Sequence, residues 1–285
     1  MTVEARARRI EGVYAGLSLR GVSVAGRETW FHFPTLGFAF DLGRSPWELV
    51  SVPHVFLSHA HLDHGAGLAY WFSQRRLLRL PGGTVHTHPA AVEAWRKIVE
   101  LHAALEDVRY DARVEPMAPR SRVALRRDLS MTCFPADHRV PTLAFVASEE
   151  RHRLLPEYEA RTREEIKALA ASGKSVAGRV SIPLVGYSGD TAGGIFDTAP
   201  PDFFRAKVLL IECSFVEERD KGRAAPFKHL HVDDIAERAD LFENEVVLLT
   251  HVTLRTPPDS IRRLVKQRLP ARLADRARPF LPDQA

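Results

Sequence analysis

The pattern of apolar and polar positions changes period along the chain. "ETWFHFPTLGFAFDLG", residues 28–43, alternates bulky apolar residues with others and ends at Asp41-Leu42-Gly43, as strands broken by a turn do. Residues 1–58 read as strands separated by turns. They close with "VPHVFLS", a short β-branched and aromatic run that predicts a buried strand ending at Ser58. The pattern then predicts helices over 65–79 and 89–105, with Pro89 suited to a first helical turn. Strands return with "LSMTCFPA" and "TLAFVAS". Residues 149–179 are charged, hold few large apolar residues and include Ser172-Gly173. They predict a surface insertion with one helix at about 163–171. Core patterning resumes with "SIPLVGYSGD", "AKVLLIECS", a helix near 233–243 and the strand "EVVLLTHV". A last helix runs from Pro258 to about Leu269 and stops before Pro270. Strands come in groups, with helices between and after them, which predicts sheets layered with helices rather than a strictly alternating βα chain.

Composition narrows this little. With 285 residues, 45% hydrophobic and 27% charged, the chain can bury a sizeable core without disulfide staples. We expect one domain over 1–285 with a short inserted arm at about 149–179. The formal net charge of +4 permits a polyanionic partner without demanding one. Cys133 and Cys213 stand far apart and form no C-x-x-C pattern, so a reducing compartment is expected. The start, "MTVEARARRIEG", lacks the apolar core of a signal peptide, and no run approaches a membrane span. A cytoplasmic protein with no membrane partner is the expectation.

Candidate chemistry concentrates in "SHAHLDHGAG", residues 58–67. A strand places His59 and His61 on one side, because side chains alternate with a period of two. Asp63 and His64 follow where the strand gives way to a turn, and the glycines let backbone pass close to an ion. Imidazole and carboxylate are natural zinc ligands, and at this density they can serve two ions. Further ligands must come from elsewhere, and His138, Asp190 and His251 each end an apolar run. His86 and His88 imitate a ligand pair on "TVHTHPAAV", but no acidic partner follows, so they read as structural.

"SHAHLDHGAG", "DHRVPTLAFV", "YSGDT", "IECSF", "HLHVDD" and "HVTLRT" occur in the order found in the metallo-β-lactamase superfamily. Within it the chain resembles ribonuclease Z, the endonuclease that trims tRNA 3′ ends, and is similar to its short, plant-type branch. The stretch from Gly16-Leu17-Ser18 to "SVAGRETW" stands where other branches carry F-L-G-T-G. "ECSF" with "HLHVDD" points to ribonuclease Z; H-x-H-x-D-H specifies only the superfamily. "HVTLRT" keeps His251 and Arg255 of the family's H-F-S-x-R-Y but not its aromatics.

The resemblance implies an α/β fold, an αββα sandwich of two mixed β-sheets flanked by helices. It implies two divalent metal ions, zinc first, with manganese or iron also suited to His/Asp ligands. One ion would be held by His59, His61 and His138, the other by Asp63, His64 and His251, with Asp190 bridging both. Asp63 would also orient the attacking hydroxide held between the ions. Glu212 and His231 would supply the leaving oxygen's proton, His231 being preferred over His229 for its place before the following helix. Arg255 would contact substrate phosphate. The implied activity is removal of 3′ trailers from precursor tRNA by a homodimer. The competing expectation is a hydrolase of the same fold acting on a small-molecule phosphodiester or other ester, since fold does not fix function.

Overall fold

The computed structural model describes residues 9–111, 113–253 and 255–282. The chain builds one sheet, then a second, each of seven strands. The first holds β1 (Ile10–Tyr14), β2 (Leu17–Val24), β3 (Glu28–Phe33), β4 (Phe38–Phe40), β5 (His54–Phe56), β6 (Thr84–Thr87) and β7 (Arg113–Pro116), side by side in chain order. β1 to β4 pair antiparallel and β4 to β7 parallel. The second holds β8 (Arg122–Arg126), β9 (Leu129–Ala136), β10 (Thr142–Leu154), β11 (Ala177–Tyr187), β12 (Val208–Glu212), β13 (Val246–Thr250) and β14 (Ala277–Pro279). It too is antiparallel at first, β8 to β11, and parallel from β11 to β14.

Period-two alternation sorts the side chains into three apolar layers. Phe31, Phe33, Phe38, Phe40 and Phe56 meet Met131, Phe145, Tyr187, Leu210 and Leu248 between the sheets. Neighbouring residues on the same strands face outward: Leu209, Ile211, Val247 and Leu249 join Phe203, Ile235, Ile261 and Val265 in a second layer. On the other side Val55 and Val85 meet Trp71, Phe72 and Trp95. Strands buried on both faces read as near-continuous apolar runs, which explains Val208–Ile211 and Val246–Leu249. Each large side chain so buried contributes roughly 1.5–3 kcal/mol. Helices α1 (Trp47–Val50), α2 (Leu62–Gly65), α3 (Leu68–Leu77) and α4 (Pro89–Leu105) lie along the first half of the chain; α5 (Arg163–Ala171) stands in the insertion. α6 (Ile195–Thr198), α7 (Pro201–Arg205), α8 (Lys221–Phe227), α9 (Val232–Glu237), α10 (Pro258–Arg268) and α11 (Ala271–Ala274) follow. The αββα sandwich expected from the sequence is the observed architecture.

Differences from the expected elements have local causes. The helix expected over 65–79 is divided at Ala66-Gly67, and a Cβ on Gly67 would collide with the Ser45 backbone. The strand expected to stop at Ser148 runs on to Leu154, paired with β11 as far as Leu154↔Ala177. That extension leaves the core, so no apolar face marks it in the sequence. At its far end Thr162 and Glu165 form a reciprocal capping box that starts α5. The helix near 233–243 ends at Glu237, and β14 lies beyond the last expected helix. Among the described residues, no helix is long and apolar enough to cross a membrane.

His86 and His88 are structural, as expected. His86 stacks on Phe56 with centroids 4.7 Å apart and faces His54 at 3.3 Å; the His88 ring accepts the Ala90 N–H that opens α4. Burial, then the neighbouring His54, pushes the His86 imidazole down to about 4. Burial, then Arg20, does the same to His32. The unfolded chain protonates these rings near 6.5, so between about 4 and 6.5 it binds more protons than the folded chain. Stability therefore rises with pH through that window and falls on acidification. Replacing His86 by Phe should flatten the pH dependence of the urea midpoint there, removing up to about 3 kcal/mol of acid sensitivity. An unchanged slope would show that His86 is not held neutral.

Candidate metal centre

The chemistry-bearing residues gather at one edge, where strands end. Asp41 follows β4, Ser58 and His59 follow β5, and Asp63 and His64 sit on α2. His138 follows β9, Asp190 follows β11, Glu212 ends β12 and His251 follows β13. The carboxyl ends of parallel strands in open α/β sheets are common ligand sites.

The seven sequence-expected ligands come together. His61 Nδ1 lies 3.0 Å from His59 Nε2 and 3.4 Å from His138 Nε2. Asp190 Oδ2 stands 3.6 Å from His59 Nε2, 4.0 Å from His138 Nε2 and 3.2 Å from His251 Nε2. Its other oxygen is 3.4 Å from His64 Nε2. Asp63 Oδ2 is 3.4 Å from His251 Nε2 and 3.6 Å from His64 Nε2. Donor atoms of His59, His61, His138 and Asp190 all lie within 4.8 Å of one another, as do those of Asp63, His64 and His251.

The hydrogen bonds behind these rings fix which nitrogen faces the centre. The Ser58 hydroxyl donates to Asp41 Oδ2, so it accepts from His59 Nδ1 at 3.0 Å. The Ser214 hydroxyl donates to Glu212 Oε2, so it accepts from His251 Nδ1 at 2.8 Å. His64 Nδ1 donates to Asp41 Oδ2 at 2.7 Å, and His138 Nδ1 donates to the Lys228 carbonyl at 2.9 Å. In all four rings Nδ1 carries the proton, leaving Nε2 as a lone pair turned inward. His64 Nε2 and Asp190 Oδ1 are buried without a hydrogen-bond partner. Converging lone pairs with orphaned polar atoms at their focus fit divalent cations and are costly without them.

The electrostatics agree. Burial alone would raise the Asp190 carboxyl, but the imidazoles of His251, His64 and His59 hold it well below the usual carboxylate range. Burial pushes His59 well down. His64 is driven well up, because Asp190 and Asp41 outweigh its burial. The pocket favours positive charge at the His64 position, which a cation supplies.

Sequence reasoning missed the residues that aim the ligands. Asp41 is fully buried with φ 53°. It accepts from the Ser58 N–H at 2.7 Å and the Tyr187 hydroxyl at 2.5 Å as well as from His64. Only its place before Leu42-Gly43 at a strand end marked it, and that reads as an ordinary turn. Ser214 and Tyr187 stood in family motifs but carried no signal of this role.

Beside the centre, Glu212 is buried and its partner is His229, whose Nδ1 donates to Oε1 at 2.8 Å. The expectation that His231 pairs with Glu212 is corrected here. His231 caps α9, its Nδ1 accepting the Asp233 N–H at 3.2 Å while Nε2 donates to the Glu217 carbonyl at 3.1 Å. His229 and His231 alternate across the chain, so only one faces the centre, and the capping role takes the other. The His229 ring stacks on His251 with centroids 5.1 Å apart, and one of its nitrogens lies within 4.8 Å of donors of Asp190 and His251. Burial opposes charge on His229, but Glu212 outweighs it and raises the imidazole. Glu212 also accepts from the N–H groups of Thr191, Leu230 and Ser214, which lock it in place. Arg255 is exposed and lines a hollow with His229 and His251.

Residues 34–252 match the Beta-lactamase superfamily domain, which defines the class. The chain is 29% identical over 242 residues to tRNase Z TRZ1 of Arabidopsis thaliana, covering 84% of this chain and 86% of that protein. It is 30% identical over 250 residues to the chloroplastic tRNase Z TRZ2 of the same plant, covering 87% and 71%. The crystal structure of the metallo-β-lactamase fold protein YhfI from Bacillus subtilis shares the fold, with TM-score 0.61 and 15% identity over 92% of this chain and 94% of that one. The chain belongs to the tRNase Z family of the metallo-β-lactamase superfamily.

Asp41 orients His64 directly and His59 through Ser58, so its loss should weaken metal binding without removing a ligand. Asn tolerates the left-handed backbone, which makes Asp41→Asn the clean variant. Competition with a chelator should show metal affinity reduced about 10–100-fold. Unchanged affinity would mean that these rings hold their orientation without the carboxylate.

Proposed function

We propose that the chain is a metal-dependent endoribonuclease that removes 3′ trailers from precursor tRNA, leaving a 3′-hydroxyl on the tRNA. The observation that carries this is the Glu212–His229 pair standing beside two His/Asp donor sets, one of which contains Asp190 while His64 and His251 of the other lie within 3.4 Å of its oxygens. Family membership supports tRNA over a small-molecule phosphodiester as substrate. His59, His61 and His138 would hold one divalent cation, Asp63, His64 and His251 the other, and Asp190 both. When bound, such ions offset charge on a phosphoryl group and lower the pKa of water to about 7.

The chain's own residues have distinct tasks. Asp63 is steadied by the Gly26 N–H at 2.9 Å, which presents its carboxylate to the reacting face. Glu212 occupies His229 Nδ1, so Nε2 is the nitrogen left to deliver a proton to the leaving oxygen. Arg255, exposed beside His229 and His251, would contact a phosphate at the rim. Zinc is the proposed metal, since neutral imidazole and carboxylate suit it; manganese and iron accept the same donors. Residues at about 149–179, where β10 and β11 pair as a hairpin, would form an arm on a single-domain body and grip tRNA from the partner protomer of a homodimer. Two buried free cysteines fit a reducing compartment, which we take to be the cytoplasm.

Incubation with a 3′-extended precursor tRNA should release the trailer in one cut, and a chelator should abolish it. His229→Ala should slow turnover roughly 10²–10⁴-fold with metal content kept. His231→Ala should instead lower stability by about 1 kcal/mol through its lost cap while cleavage persists. The opposite assignment of these two effects would return the proton-donor role to His231.

A further inference from the structure

Next to the centre, a hollow of about 260 Å³ opens beside His229 and His251, walled by Phe215, Arg223, Phe227 and Arg255. Phe227 is 43% exposed, an unusual place for a phenyl ring at the mouth of a polar site. Two guanidinium groups attend it: Arg139 at 5.4 Å and Arg223 at 5.6 Å from its centroid. Arg223 also stands 5.9 Å from the Phe215 ring.

The ring is held from behind. Phe227 ends α8, and the next residue, Lys228, turns left-handed at φ 59°. The Lys228 carbonyl accepts from His138, and its Nζ bonds Asp137 Oδ1 at 2.7 Å. Arg139 donates to the Pro226 carbonyl at 3.2 Å. Phe227 is thereby fixed to the layer that carries the metal ligands. A part-exposed ring held in place, with two guanidinium groups over it that can swing to phosphates, is an arrangement that recognises single-stranded nucleotides: a ring for the base and planar cations for phosphates. The hollow is smaller than a typical drug-sized pocket.

We infer that Phe227 is a stacking platform for the base of a nucleotide flanking the cleaved linkage, with Arg223 holding an adjacent phosphate. This rests on the ribonuclease reading of the site. It adds a specificity element, because only an unpaired nucleotide can present its face to the ring. It also implies tolerance of base identity, since every base has a π-face.

The test uses the metal-loaded enzyme and a precursor tRNA with a non-hydrolysable phosphonate at the cleaved linkage and 2-aminopurine beside it. Binding should quench the 2-aminopurine fluorescence. Phe227→Leu should abolish the quench and weaken binding roughly tenfold, and Phe227→Tyr should restore both. Quenching and affinity unchanged in Phe227→Leu, or no quench with the unsubstituted enzyme, would overturn the platform. The activity is read separately on the cleavable RNA. Quenching that Phe227→Leu abolishes, without cleavage by the unsubstituted enzyme, would sink the tRNA-processing reading and leave the platform standing. Cleavage with no Phe227-dependent quench would do the reverse.

Discussion

The structure depends on a buried carboxylate surrounded by imidazoles. Asp190 is almost wholly removed from water, and donors of His59, His64, His138 and His251 stand within 4.0 Å of its oxygens. Burying a carboxylate is expensive unless charge or hydrogen bonds compensate. Here Oδ1 has no well-aligned hydrogen-bond partner, and the imidazoles of His251, His64 and His59 supply the compensating charge. Donor atoms of both sets stand close to this one carboxylate, so an ion held by either would alter the charge seen by the other.

The sandwich supplies the rigidity this requires. Phe40, Phe56 and Tyr187 pack between the sheets immediately below Asp41, Ser58 and Asp190, so strand ends carry the ligands out of a close-packed layer. A further tier of Asp41, Ser58, Ser214 and the Lys228 carbonyl then fixes the His59, His64, His138 and His251 rings through Nδ1. Glu212 belongs to this tier and also holds His229. One oxygen takes the Ser214 hydroxyl that holds His251, while the other takes His229.

Much of the fold was legible because its strands are buried on both faces and its helices carry clear starts. "LSMTCFPA" coincides with β9, and the helix opened by Pro89 with α4. The outer part of β10 was not legible, because a strand paired outside the core has no apolar face to announce it. The candidate ligands were legible for a different reason: H-x-H-x-D-H packs unusual chemistry into six residues. Their supports were not, because a serine or aspartate at a strand end looks the same whether it closes a turn or aims an imidazole. His229 and His231 show the limit most sharply. Two residues apart, they differ only in which side of the backbone they take, and that is settled by α9 needing a cap.

Metal content of Asp190→Ala compared with the unsubstituted chain tests the shared-ligand centre most directly. About two divalent ions per unsubstituted chain are expected, with loss of both on substitution, because each donor set loses its common carboxylate. Retention of both ions by the variant would contradict a centre built on that carboxylate.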